Sequence, residues 1–572
     1  MFDVLPPFVI YLIGALILPF IKAGNWRSAY SLFIPLIGAW LIWTAPMGEN
    51  AQLAFFGFDL ELMRVDKLSR IFGLVFSLAA FIGLIYAWHL RDWVQQTSAI
   101  LYAGSAIGAV FVGDMISLFF FWEGTAIASV FLIWARGTEG AYHTGMRYLI
   151  IQIGSGVILI AGVAMHYHAS GSIAFDKMTL PMSISSIGDI ALWLIFLSFG
   201  IKCAFPLLHN WLQDAYPAAT VTGTVFLSAF TTKLAVYALA RTFPGTELLI
   251  YIGAIMTLFP IFYAVIENDL RRVLAYSLNN QLGFMVVGIG VGTELALNGT
   301  AAHAFAHILY KALLFMSVGA VLFRTGTAKG SELGGLYKTM PLTMIFCVVG
   351  AASISAFPLF SGFVAKSLIL SAASHEHYYV VWGILLFASA GVFHHSGIKI
   401  PYFAFFAHDS GKRPKEAPMH MLIAMGLASF VCIFVGVFPK PLYDLLPYPI
   451  DYEAYTTTHV ITQLQLLFAS ALAFTVLMRT KIYPPELKSV NLDFDVTYRK
   501  WLPSVIGYLA IVVSAIFQGV TGFINSSAVK IIKALHHSHG PDGSRAASWP
   551  TGAMVLNIAL LLGFALVVIY LS

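Results

Sequence analysis

The stretch "HAFAHILYK" sets His303, His307 and Lys311 at successive four-residue steps. On a helix this spacing brings all three onto one face. A histidine pair four residues apart can ligate zinc. Here the next position on the face is a lysine, no HExxH glutamate is present, and no cysteine or carboxylate lies nearby. The pattern therefore favours a proton relay over a metal site, because imidazole titrates near physiological pH. Core histidines with satisfied hydrogen bonds are the bland alternative.

A second group of costly residues lies in "GIKCAFPLLHNW", where Lys202, Pro206 and His209 interrupt an apolar run. Pro206 lacks a backbone donor, and its ring clashes with the carbonyl of Lys202 four residues back, so the helix should break there. The freed carbonyls can bind water, so Lys202 would face a wet pocket instead of lipid. His209, two turns on, should share that face across the break. The phrase "AFPL" recurs at 356–359, with Pro358 at its centre and Lys366 beyond it. Lys233 and Lys399 are the lone lysines of the two following apolar segments, and Glu123 in "SLFFFWEGTAIASV" is the one acidic residue deep in any span. A charge near a bilayer centre costs about 2.5–3.5 kcal/mol on insertion scales. Such residues mark ion or proton paths by default, snorkelling or structural pairing being the alternative for any one lysine. An ionised Glu123 needs a partner, and lysine is the available one.

The elements that must position these groups follow from composition. The chain has 572 residues, 59% hydrophobic and 10% charged, with a mean hydropathy of +0.82. Soluble domains carry about 25% charged residues. Apolar runs long enough to span a bilayer recur along the whole length, so the expected class is an all-α polytopic membrane protein. Seventeen candidate spans are expected, near 5–21, 28–45, 69–88, 97–112, 114–135, 146–166, 187–213, 218–240, 247–265, 273–291, 299–323, 341–371, 378–406, 419–438, 459–478, 501–523 and 551–571. The spans at 187–213 and 341–371 are too long and carry Pro206 and Pro358 near their middles, so both are expected to break. These breaks fall five spans apart, in helices 7 and 12, each with a lysine beside it and a lysine in the next span. That is the trace an inverted five-helix repeat leaves. The expected organisation is three N-terminal helices in 1–96, a first repeat in 97–241, a second in 247–406, and C-terminal helices in 407–572. The last region includes a polar loop at 479–500 and an amphipathic surface helix at 525–540.

Lys and Arg, Arg271 among them, favour the odd-numbered loops by about two to one, which predicts those loops in the cytoplasm and the N-terminus outside. The net charge of +5 needs no nucleic-acid partner. Cys203, Cys347 and Cys432 all fall in apolar spans, with no CxxC motif. The N-terminus lacks a basic leader and a cleavage site and reads as the first span.

Five segments, in order, carry a resemblance: "FFFWEGTA", "IKCAFPLLHNWLQDAYPAATVTGTVFLSAFTTKLAVYALAR", "ENDLRRVLAYSLNNQLGF", "HAFAHILYKALLFMSVGAVLF" and "ISAFPLFSGFVAKSLI". Together they resemble the antiporter-like subunits shared by respiratory complex I, membrane-bound hydrogenases and Mrp-type multisubunit cation/proton antiporters. The resemblance implies that Glu123 is the family's fifth-helix glutamate, Lys202 and Lys233 its seventh- and eighth-helix lysines, and Lys366 the twelfth-helix lysine at the far exit. It implies that His303, His307 and Lys311 form the central relay, and that His209 matches a histidine common after the first break. "GIKIPYFAFFAH" and "LDFDVTYRK" resemble the Mrp D-subunit group, from which Val496 departs, while the long C-terminal tail is similar to the extended complex I subunit.

The expected function is a proton-translocating subunit of a multisubunit Na⁺/H⁺ antiporter in a bacterial or archaeal cytoplasmic membrane, assembled with other membrane subunits. The alternative is the same fold in NADH:quinone oxidoreductase or a membrane-bound hydrogenase. A standalone carrier of organic solutes fits the lysine series less well. No cofactor motif is present, so any redox chemistry belongs to other chains. Five lysines repel cations, which places any Na⁺ site on a partner or at an interface.

Overall fold

The computed structural model describes residues 5–48, 50–480, 482–483, 491–545 and 548–571. It divides into two units, Met1–Asn491 and Leu492–Ser572. The first unit opens with α1 (Pro7–Ile17) and α2 (Asn25–Thr44), then the strands β1 (Asn50–Phe55) and β2 (Phe58–Arg64). It continues through α3 (Lys67–Tyr86), α4 (Trp93–Phe111), α5 (Met115–Trp134), α6 (Glu139–Ser170), α7 (Ile187–Cys203), α8 (Asn210–Ala218), α9 (Gly223–Ala229) and α10 (Thr231–Thr242). Next come α11 (Glu247–Ile266), α12 (Leu270–Val291), α13 (Glu294–Thr325), α14 (Pro341–Ile354), α15 (Ser361–His375) and α16 (Tyr379–Val392). A short α17 (Lys399–Pro401), then α18 (Met419–Val437), α19 (Lys440–Tyr443) and α20 (Thr457–Arg479) complete the unit. Among the described residues, 11 helices are long and apolar enough to cross a membrane. The chain is thus an all-α polytopic membrane protein. The other expected spans are shorter, broken or less apolar, as in α12, which carries Arg271, Arg272, Asn279, Asn280 and Gln281.

Polar caps fix where the helices start. Asp66, Asp92, Asp114, Thr138, Ser186, Asp269 and Thr293 each accept from a backbone N–H in the first turn of the helix that follows. These caps satisfy donors that lipid cannot. They also reveal the internal symmetry. α5 and α12 both begin on a capping aspartate, and α6 and α13 are both 32 residues long, each beginning on Thr–Glu and ending on a left-handed glycine. Short bridges join Asp114 to Ala174 and Asp269 to Lys329 at matching places.

Both expected breaks are present and share one geometry. After α7, Ala204 and Leu207 take left-handed dihedrals, and after α14, Ala356 and Leu359 do the same. Phe205 N–H donates to the Gly200 carbonyl at 3.0 Å, and Phe357 N–H donates to the Ala352 carbonyl at 3.0 Å. Each is the six-to-one bond of a Schellman ending, with alanine where glycine is usual. Left-handed backbone costs a non-glycine residue about 1–2 kcal/mol, and such strain concentrates at functional sites. A third break was not expected. The span at 218–240 divides at Phe230, between α9 and α10, without any proline.

The hairpin β1–β2 was also not expected. Phe56 and Gly57, both at positive φ, make its two-residue turn. Glu61 N–H donates to Asp114 Oδ2 at 2.8 Å, docking the hairpin on the start of α5. Arg271, counted above among the loop charges, is fully buried. Its guanidinium donates to the carbonyls of Pro217 at 2.9 Å and Ala219 at 3.0 Å, and to the Thr224 hydroxyl. It fastens the start of α12 to the end of α8.

The second unit begins with a wide turn at Thr497–Trp501 and continues as α21 (Leu502–His539) and α22 (Thr551–Leu571). The expected span at 501–523 and surface helix at 525–540 form instead one helix of 38 residues, about 57 Å long at 1.5 Å per residue. No proline separates them, and the polar Asn525–Ser527 does not stop a helix. Of the loop expected at 479–500, residues 481 and 484–490 lie outside the described residues.

Candidate functional site

Lys202 is the penultimate residue of α7, just before the break, and is fully buried. Its ammonium donates to the Trp122 carbonyl and, at 2.9 Å, to Thr125 Oγ1, and stands 4.4 Å from the centre of the Trp122 ring. α5 thus supplies a carbonyl, a hydroxyl and a π-face to one amine. Glu123, adjacent to Trp122, is half-buried, and its Oε1 has no hydrogen-bond partner. Each group lies within electrostatic reach of the other. No ion pair within 4.0 Å joins them, so the expected pair is open in this structure. His209 is buried with its ring edge-on to Phe259 of α11, 4.6 Å between centres. The helical period that would have put it on the face of Lys202 ends at Cys203.

Lys233 lies in the first turn of α10 and donates to the Ser228 carbonyl at 2.6 Å and to Thr232 Oγ1 at 3.3 Å. The unexpected break at Phe230 is what frees that carbonyl. α9, which carries Ser228, packs against α13.

α13 carries the central group. His303 Nε2 lies 3.0 Å from Tyr310 Oη and 3.3 Å from Gln281 Oε1, and Tyr310 donates to the same Oε1 at 3.0 Å. The rings of His303 and His307 stand 6.0 Å apart. Both ring nitrogens of His307 and the amine of Lys311 are buried without a hydrogen-bond partner among the described residues. Lys311 lies within electrostatic reach of both Lys233 and Lys366.

Lys366, on α15, donates to the Ile354 carbonyl at 2.6 Å, across the second break. Its ammonium is 5.2 Å from the centre of the Phe284 ring, and the other neighbour of that ring is His303, 5.8 Å between centres. Lys399 is placed differently. It donates to the carbonyls of Ala264, Val265 and Glu267 at 3.2, 2.7 and 2.6 Å, and so closes the end of α11.

One rule covers three of these amines: a main-chain carbonyl, and among the described residues no carboxylate, holds each of Lys202, Lys233 and Lys366. A carbonyl accepts from an ammonium and from a neutral amine alike. It fixes the side chain without fixing its charge, whereas a carboxylate would trap the proton.

The sequence reading missed the groups that hold the amines, Trp122, Thr125 and Ser228, and those that hold the His303 ring, Gln281 and Tyr310. It also missed His395, buried and 2.9 Å from Ser396 Oγ, which donates to Ser277 Oγ at 2.7 Å. Gln281 follows Asn279 and Asn280 inside an otherwise apolar helix, a signal present in "SLNNQLGF".

This fold and these buried groups define a class. Residues 112–434 match the NADH:quinone oxidoreductase/Mrp antiporter transmembrane family, and the chain belongs to that family. It is 30% identical over 377 residues to the D-subunit of the Na(+)/H(+) antiporter of Alkalihalophilus pseudofirmus, covering 64% of this chain and 75% of that one. It is 31% identical over 354 residues to the N-subunit of the NADH-quinone oxidoreductase of Desulforudis audaxviator, covering 58% of this chain and 70% of that one. In structure it resembles a chain of the Mrp complex from Dietzia sp. DQ12-45-1b, with a TM-score of 0.77 at 22% identity over 92% of this chain and 62% of that one.

Proposed function

We propose that this chain conducts protons within a multisubunit cation/proton antiporter, along a lateral path from Glu123 through Lys202, Lys233, His307, His303 and Lys311 to Lys366. The observation that carries this reading is the series of fully buried lysines, of which Lys202, Lys233 and Lys366 are held on backbone carbonyls, with Glu123 near the first. Glu123 gates the first lysine by approaching or leaving it, because a nearby carboxylate favours the charged amine and its departure favours proton release. His209 and Lys399 border the path, and Pro206 and Pro358 set the breaks that open the carbonyls. The two repeats occupy 97–241 and 247–406. The membrane is the bacterial or archaeal cytoplasmic membrane, with the N-terminus outside, and the partners are other membrane subunits. Na⁺ is the proposed counter-ion, and its site lies on a partner or at an interface, since the core offers one deep carboxylate among repelling lysines.

The second reading, a proton-pumping subunit of a redox complex, is supported by the identity to a quinone oxidoreductase subunit. The test that separates them is to purify the chain from its native membrane and identify what accompanies it. Small antiporter subunits with Na⁺-dependent exchange support the first reading. Flavin or iron–sulfur chains overturn it in favour of the second.

A further inference from the structure

The carboxylate of Glu123 rests on α6, against Gly156. A Cβ built on Gly156 would lie 1.5 Å from Glu123 Oε1 and 2.5 Å from its Cδ. The backbone gives no other reason for glycine here. Gly156 lies inside α6, its φ is not positive, and glycine disfavours a helix interior.

The second repeat shows what this position can otherwise hold. With α6 laid on α13 from cap to cap, Tyr148 falls on His303, Gln152 on His307 and Gly156 on Lys311. With α5 laid on α12, Glu123 falls on Leu278. Each repeat therefore has one ionisable group at this junction. In the second repeat it comes from α13 as Lys311, opposite a leucine. In the first it comes from α5 as Glu123, opposite a residue with no side chain. One turn before Gly156, Gln152 is fully buried with both amide atoms unpartnered, so the face of α6 beside this seat is polar.

We infer that Gly156 is a positioning residue, the seat that holds the Glu123 carboxylate away from Lys202 and thereby sets how readily the pair closes. This rests on the proposed gating role of Glu123 and Lys202. Filling the seat displaces the carboxylate, and the displacement we infer is toward the ammonium. A closed pair keeps the carboxylate ionised and the lysine charged, which stalls transfer.

The test uses membrane vesicles carrying the full chain with its co-expressed partners. A hydrophobic carbodiimide reacts with a carboxylic acid only in its protonated form, and mass spectrometry of the Glu123 peptide reads the N-acylurea adduct without any need for transport. Gly156→Ala should lower the labelling rate at neutral pH by about tenfold, as for one unit of differential protonation, and lower pH-gradient-driven exchange with it. Glu123→Asp together with Gly156→Ala, with a carboxylate one methylene shorter, should regain both labelling at position 123 and exchange. Wild-type labelling in Gly156→Ala, or a double variant no better than Gly156→Ala, overturns the inference. If Gly156→Ala does not accumulate in the membrane, recovery of accumulation in the double variant supports the clash, and its absence in both overturns it. Exchange that survives Lys202→Met would instead sink the proton-path reading, a result separate from the labelling outcome.

Discussion

Lys366 donates to the carbonyl of Ile354 at 2.6 Å, and Ile354 occupies in the second repeat the position that Lys202 occupies in the first. The two "AFPL" phrases fix this register. The same break is thus served by a lysine from its near side in one repeat and from its far side in the other. Lys202 reaches out to the neighbouring helix α5, whereas Lys366 reaches back over its own break. The two amines are therefore non-equivalent in their acceptors, which gives the proposed path a direction.

At Lys366 the account requires release of a proton, not merely a fixed charge. Lys366→Arg keeps a positive charge that stays ionised above about pH 12, and its fork has one carbonyl to meet instead of a carboxylate. We expect Lys366→Arg to lower pH-gradient-driven exchange at least as far as Lys366→Ala. Full exchange in the arginine variant, measured in everted vesicles, would reject the carrier role.

Glu123→Gln removes the anion and breaks no hydrogen bond at Oε1, because none is made there. The variant should insert and assemble normally while exchange falls by about an order of magnitude, which corresponds to about 1.4 kcal/mol in the transfer barrier. Near wild-type exchange in Glu123→Gln vesicles would remove the gating role.

Lys311 offers a way to separate function from stability. Its amine is buried without a partner, and burying an unsatisfied polar group costs about 1–3 kcal/mol. Lys311→Leu should therefore leave thermal stability unchanged or raised while abolishing exchange. Lys233→Met should lower stability as well, because it orphans the Ser228 carbonyl. A strongly destabilised Lys311→Leu, seen in a melting assay in detergent, would assign Lys311 a structural role.

Outside the spans, Arg413 at 2.6 Å and Lys338 at 2.9 Å hold the Asp409 carboxyl well below the usual carboxylate range. A group whose value is lowered on folding contributes stability that is fully present above its unfolded value, about 3.9, and is lost only as pH falls through the lower folded value. The Lys338–Asp409–Arg413 cluster should thus persist through about pH 4, while Asp409→Ala opens it at every pH. Hydrogen exchange at the Gly411 amide, which donates to Asp409 Oδ1 at 3.0 Å, checks this. Protection at Gly411 that is lost near pH 5 in the wild type, or retained in Asp409→Ala, would contradict it.

Much of this was legible in the sequence because lipid simplifies the problem. Every lysine in an apolar span had to be held by something, and every proline inside a span had to free a carbonyl. The breaks at Pro206 and Pro358 and the burial of Lys202, Lys233, Lys311, Lys366 and Lys399 follow from that. The break at Phe230 was not legible, because no proline or glycine marks it and tertiary packing around Lys233 sets it. The open state of Glu123 and Lys202 was equally hidden. Composition says only that an acid needs a partner, while the space that lets Glu123 stay apart is contributed by a glycine on another helix, Gly156. Nor could periodicity place His209, because the helix that would carry the period ends six residues earlier, at Cys203. Arg271 read as a loop charge because its acceptors are carbonyls far along the chain, at the end of α8.

The central claim is that the buried groups from Glu123 to Lys366 act as one conductor. Its most direct test is pH-gradient-driven exchange in everted vesicles for Lys202→Met, Lys366→Met and the double variant, at matched membrane content. Groups that act as a unit show losses that do not add. The account predicts that each single variant loses most of its exchange and that the double is no worse than the poorer single. Two independent losses that multiply in the double variant, or a single variant that exchanges like the wild type, would contradict it.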